Sequence, residues 1–203
     1  MHYHPLVQYF ASEGVPILTV TLLLMLPIIA TLVAIFRQVI GIKAFGIYTP
    51  SIITFALFAM GDLKYGVAVF VSIIIVGMLS RFGLRRFRLL YLPRVAITLS
   101  IISLAILLLL LIGGHNHRTG FAGASVFPLL IMITLAEKFV STQIEKGTRI
   151  ALILAVETLI ISTVGYFLIK STLVTDILLS YPLWIIVLTF IINITLGKWS
   201  GLR

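Results

Sequence analysis

The chain has 203 residues, of which 61% are hydrophobic and 10% charged, with a net charge of +9. A water-soluble domain of this size cannot have that composition, because its surface would offer too little to water, so the chain reads as a single-domain, all-α polytopic membrane protein. Runs such as LSIISLAILLLLLIGG do not alternate as a β-barrel requires, and the lack of cysteine excludes disulfides, thiolate metal sites and cysteine nucleophiles.

Residues 1–14, MHYHPLVQYFASEG, form a short extracytoplasmic tail without the basic start and apolar core of a signal peptide. Residues 15–203 form one membrane domain with seven predicted spans: Val15–Phe36, Ala44–Met60, Tyr65–Phe82, Val95–Ile112, Phe121–Ala136, Ile150–Ile169 and Leu173–Leu196. The second and fifth fall short of the ~20 residues a helix needs to cross a bilayer. Each is interrupted early by glycine and proline: Gly46 and Pro50 in the second, Gly120, Gly123 and Pro128 around the fifth.

Lys and Arg set the orientation. The ends of spans 1, 3, 5 and 7 share one side, which holds 12 of the 15 basic residues; only Lys64, Arg118 and Lys170 lie on the other. By the positive-inside rule the first side is the cytoplasm, with the N-terminus outside and the C-terminus inside. The net positive charge therefore marks membrane orientation rather than nucleic-acid binding. The expected location is the bacterial cytoplasmic (inner) membrane.

The two broken spans fall one per triplet, in halves 15–82 and 95–169, with helix 173–196 left over. Three spans per half is odd, so the second half enters from the opposite face and the expectation is a 3+3 inverted repeat. Short Gly/Pro-broken segments at matching places point to the functional centre of a membrane protein.

Glu157 is the one acid well inside a span, about 10 Å deep at ~1.5 Å per residue. A carboxylate there is costly and has a partner or a function. Three readings are open: a protonatable relay or substrate contact, a structural pair, or a group reaching a wet vestibule. Thr158, Ser162 and Gly165 continue a polar, small-residue sector beside it. In span 7, Thr189, Asn193 and Gly197 recur every four residues, and Asn193 suits interhelical hydrogen bonding. Pro50 and Pro128 are expected to free carbonyls one turn earlier, with Thr49, Ser51 and Ser125 at hand as local partners, and read either as kinks that let helices pack or as half-helix termini aimed at a polar substrate. Arg81, Arg85, Arg86, Arg88 and Arg94 are interleaved with Phe, Leu and Tyr in RFGLRRFRLLYLPR, a basic cytoplasmic face that meets anionic headgroups and serves either as a topology determinant alone or to dock a cytoplasmic partner or an acidic product. His2-Tyr3-His4 and His115-Asn116-His117 lack a third ligand at metal spacing. No nucleophile elbow, P-loop, HExxH or dinucleotide fingerprint is present, so neither enzyme chemistry nor a cofactor is expected.

Three runs, IGIKAFGIYTPSIITFAL, RRFRLLYLPRVA and ASVFPLLIMITLAEKF, resemble the seven-helix membrane module often fused to an inactive transglutaminase-like domain in bacteria. More distantly they are similar to the small membrane component of poly-γ-glutamate synthase, the capsule biosynthesis protein C family. The resemblance covers Val15 to Ile169 and rests on Gly46 and Pro50, on Leu90, Tyr91 and Arg94, and on Pro128 with Leu129-Leu130. It implies a non-catalytic membrane subunit that works beside a cytoplasmic ligase-type enzyme or an extracytoplasmic domain, supporting synthesis or export of a glutamate-rich peptide polymer. The family defines no catalytic residues to carry over. The chain lacks the transglutaminase-like part, whose place of attachment would be the outside N-terminus, and it is longer than the poly-γ-glutamate synthase component. Two other readings stay open: a small-solute or ion transporter with Glu157 as coupling acid, and a membrane scaffold or anchor.

Overall fold

The computed structural model describes residues 4–84, 86–87, 90–115 and 126–198. Among them there are helices and no strand. In chain order these are α1 (Pro5–Ser12), α2 (Ile17–Ile35) running into a π-helical turn (Phe36–Ile40), α3 (Tyr48–Ala59), α4 (Leu63–Leu84), α5 (Tyr91–His115), α6 (Val126–Lys146), α7 (Thr148–Lys170), α8 (Thr172–Ser180) and α9 (Pro182–Lys198). Five stretches of the described residues are long and apolar enough to cross a bilayer: Ile17–Ile40, Leu63–Leu84, Tyr91–Leu111, Phe127–Lys146 and Thr148–Lys170. A bent pair, Thr172–Ser180 with Pro182–Lys198, makes up to six, and Tyr48–Ala59 is a shorter apolar helix. Their outer faces carry large exposed side chains such as Leu104, Leu107, Leu111, Trp184 and Phe190. In water that would be a liability; in hydrocarbon it is the ordinary outer face of a span.

Two expectations about the spans need correction. The run Leu173–Leu196 is not one helix but two, α8 and α9, bent by 104° at Tyr181. The cause is local. Pro182 excludes Tyr181 from the helical region, and Tyr181 sits at φ −134°, ψ 55°. Pro182 then opens α9, where its missing N–H costs nothing. The fifth span does not stop at Ala136, because α6 continues to Lys146. Glu137 and Lys138 do not end it because both are exposed, while Met132, Leu135, Ala136, Phe139, Val140 and Gln143 are buried. That is a core-facing helical stripe at spacings of three and four.

The chain divides into two compact units. One runs to Lys43 and resumes at Val164; the other is Ala44–Thr163. In the first, α2 packs against α1, α8 and α9. Val7, Val20 and Leu179 form a buried cluster, with Val15 and Leu24 against it. The His4 N–H donates to the Leu179 carbonyl at 3.0 Å, and His4 Nδ1 caps α1 by accepting from the Leu6 N–H at 3.3 Å. In the second unit, α6 packs against α3, α4 and α5. Gly77 lets α4 approach α6 closely: a Cβ there would lie 3.1 Å from the Phe139 ring. Small residues at such crossings substitute backbone approach for the hydrophobic drive that lipid removes.

Candidate functional site

The broken stretch at Ala44 is irregular before it becomes helix. Ala44 adopts φ +41° and Gly46 φ +86°, and α3 begins only at Tyr48. Irregular backbone is tolerated at membrane depth only where protein or water satisfies its polar groups. Here the partners come from α7. Ala44 N–H donates to Glu157 Oε2 at 2.8 Å, and Phe45 N–H donates to Thr158 Oγ1 at 3.1 Å. Thr158 Oγ1 in turn donates to the Leu154 carbonyl at 2.6 Å. Two successive backbone N–H groups, the first on a left-handed residue, are thus satisfied by two successive side chains of α7.

One turn further along α7 the contact repeats. Ser162 Oγ donates to the Pro50 carbonyl at 3.0 Å, and Thr54 Oγ1 donates to the same oxygen at 2.8 Å while lying 3.4 Å from the Ser162 carbonyl. Thr54, Thr158 and Ser162 are fully buried. The polar sector of α7 is thus engaged with the backbone of the α3 entry, and Glu157 lies close to the middle of a helix spanning Thr148–Lys170.

The prolines differ from expectation. Pro50 and Pro128 are each the third residue of their helix, in α3 and α6. In a first turn the N–H has no intrahelical partner anyway, so neither proline frees a carbonyl within a helix. Pro50 and Pro128 are buried, Thr49 is half-buried in the first turn of α3, and Ser51 Oγ donates back to the Ile47 carbonyl at 2.9 Å. Ser125 lies outside the described residues.

The remaining candidates lie elsewhere. Asn193 Nδ2 donates to Thr31 Oγ1 at 2.7 Å and to the Thr189 carbonyl at 2.8 Å. Thr31 Oγ1 donates on to the Pro27 carbonyl at 2.7 Å. This ties α9 to α2 beside a groove of about 310 Å³ whose lining is apolar apart from Thr31 and Thr189. Of the arginines, Arg81 is not in a loop but in the last turn of α4, and Arg94 is in the first turn of α5. Arg81 Nη1 donates to the Gln143 carbonyl at 2.5 Å and to Thr148 Oγ1 at 2.9 Å. Arg86 is exposed just after α4, and Arg85 and Arg88 lie outside the described residues. The groups that sequence reasoning missed are the acceptors and donors supplied by backbone: Ala44 and Phe45 N–H, and the Pro50 and Gln143 carbonyls. Gly46, read with Pro50 as a break in the second span, and Glu157, read separately as a deep acid, are the sequence features nearest to the first of these. Among the described residues no three His, Asp or Glu side chains cluster as metal ligands.

A family model described as seven transmembrane helices usually fused to an inactive transglutaminase matches residues 16–203. No curated protein and no solved structure matches.

Proposed function

We propose that this chain, which belongs to the family of seven-helix membrane modules usually fused to an inactive transglutaminase, is a non-catalytic membrane subunit that assists a partner in making or exporting a glutamate-rich peptide polymer. The observation that carries the non-catalytic part is the use of the intramembrane polar groups. The Glu157 carboxylate accepts from Ala44 N–H, and Thr158 and Ser162 are bonded to backbone around the α3 entry. These groups hold a fold together in a place where unpaired polarity costs several kcal/mol.

The finer reading rests on charge. With the N-terminus outside, Arg37, Arg81, Arg86, Arg94, Lys146, Arg149 and Lys198 share the cytoplasmic side of a bacterial inner membrane. Such a face suits a ligase-type cytoplasmic enzyme and its acidic product. The shared placement of Pro50 and Pro128, third in their helices, supports an inverted repeat of the two halves.

The test is co-purification from the native membrane with mild crosslinking. A ligase-type protein should accompany the full chain, and deletion of the chain should lower the cell's glutamate-rich polymer. Recovery of the chain alone, with polymer unchanged on deletion, would overturn the reading. If pH-dependent uptake in proteoliposomes instead requires the Glu157 carboxylate and fails in Glu157→Gln, the transporter reading replaces it.

A further inference from the structure

We propose that Arg81, Gln143 and Thr148 form a binding site for a phosphate group at one end of the Ala44–Thr163 unit. Three helix ends meet there: the last turn of α4, the last turn of α6 and the first residue of α7. They enclose a cavity of about 210 Å³ lined by Met78, Arg81, Phe82, Gln143 and Thr148.

The side chains of Arg81, Gln143 and Thr148 each carry a donor. Arg81 spends Nη1 on the Gln143 carbonyl and Thr148 Oγ1. The guanidinium has five N–H groups in a planar fork, so its Nε and Nη2 edge remains for a ligand. Thr148 Oγ1 accepts from Arg81 and keeps its own proton to donate. As the first residue of a 23-residue helix, Thr148 also brings first-turn N–H groups and the positive end of the helix dipole.

The independent sign of a ligand is Gln143. Its side chain is only 1% exposed, yet its Nε2 has no hydrogen-bond partner among the described residues. A buried amide donor without an acceptor is costly, and Gln143 is also one of the residues lining the cavity beside an arginine and a helix N-terminus, a setting matched to an anion. The neighbouring acid, Glu145, is engaged elsewhere. Its Oε1 accepts from Ser141 Oγ, which accepts from Tyr91 OH.

Donors from three helices suit the tetrahedral oxygens of phosphate, and Met78 and Phe82 add an apolar wall. The helices that meet here are three of the membrane-length stretches, so the cavity lies where spans end and lipid phosphates begin. The phosphate can be that of an anionic lipid headgroup or free inorganic phosphate.

The experiment uses the full chain in neutral detergent micelles and follows thermal unfolding. Inorganic phosphate, short-chain phosphatidylglycerol and chloride at matched ionic strength are compared. Phosphatidylglycerol should raise the midpoint by a few degrees over chloride. A rise with the lipid alone assigns the site to a headgroup, and a rise with inorganic phosphate as well assigns it to the phosphate group itself. The rise should vanish in Gln143→Leu and persist in Arg86→Ala, an exposed arginine outside the cavity. Gln143→Leu keeps the Arg81 bond, whose acceptor is backbone, and Gln143→Met repeats the test should the leucine variant fold poorly. No rise with either phosphate source overturns the proposal. So does a rise that survives both Gln143 variants or disappears with Arg86→Ala.

Discussion

Glu157 ties an irregular stretch of backbone to α7. Its Oε2 takes the N–H of Ala44, a residue held at φ +41°. Removing the acceptor leaves a buried amide unsatisfied, so Glu157→Ala should destabilise the chain by about 1–3 kcal/mol. Glu157→Gln keeps a carbonyl oxygen for the same amide and should cost far less. Thermal unfolding of both variants in one detergent checks this, and equal losses would show that charge rather than the acceptor matters. Ala44 itself carries the left-handed penalty that L-residues pay and glycine does not. Ala44→Gly should therefore raise stability, by up to about 1 kcal/mol after the added chain entropy. A lower midpoint would mean that the Ala44 side chain, 6% exposed, contributes more by packing than its backbone costs.

At the scale of elements, helix identity was legible and helix ends were not. Hydropathy finds spans because apolar length is a one-dimensional property that needs no knowledge of neighbours. It cannot see that Glu137 and Lys138 sit on the exposed side of α6 while Phe139 and Val140 continue the core, and so it ends that helix ten residues early. It also passes over the 104° bend at Tyr181, because Leu, Tyr, Pro and Trp are apolar on both sides of it. The proline at 182 was the available signal, and its effect is on the residue before it. The polar sector Thr158–Ser162 was readable as inward-facing, but its partners are mainly main-chain groups of residues 44–50, and sequence carries no mark of a backbone acceptor. The close crossing of α4 and α6 has the same character. A Cβ added at Gly77 would stand 3.1 Å from the Phe139 ring. Gly77→Val adds volume that neither helix can yield without moving, and should cost about 1–3 kcal/mol. The stability of Gly77→Val, set beside the milder Gly77→Ala, reads how much the ring can give, and no loss in the valine variant would show the crossing to be loose.

For the whole molecule, the open quantity is how many times the chain crosses. The family is described by seven helices, and five stretches of the described residues are long enough alone. The short α3 and the bent α8–α9 pair supply the rest only if each completes a crossing. Charge predicts that they do, since Arg37 and Lys198 belong to the basic side and Lys64 to the other. The chain has no cysteine, so single cysteines can be read without background. Arg37→Cys, Lys64→Cys and Lys198→Cys replace exposed residues. In intact cells a membrane-impermeant maleimide should label position 64 alone, and permeabilisation should open 37 and 198. Labelling of 37 and 64 from the same side would make the stretch around α3 a re-entrant segment. Labelling of 64 and 198 from the same side would do so for α8 and α9. The first result would break the three-plus-three parity and, with it, the case for Pro50 and Pro128 approaching the membrane from opposite faces; the second would leave that parity intact, since α8 and α9 lie outside the two halves. The expected pattern would instead put Arg81, Arg149 and Lys198 on the face where a cytoplasmic partner has to dock.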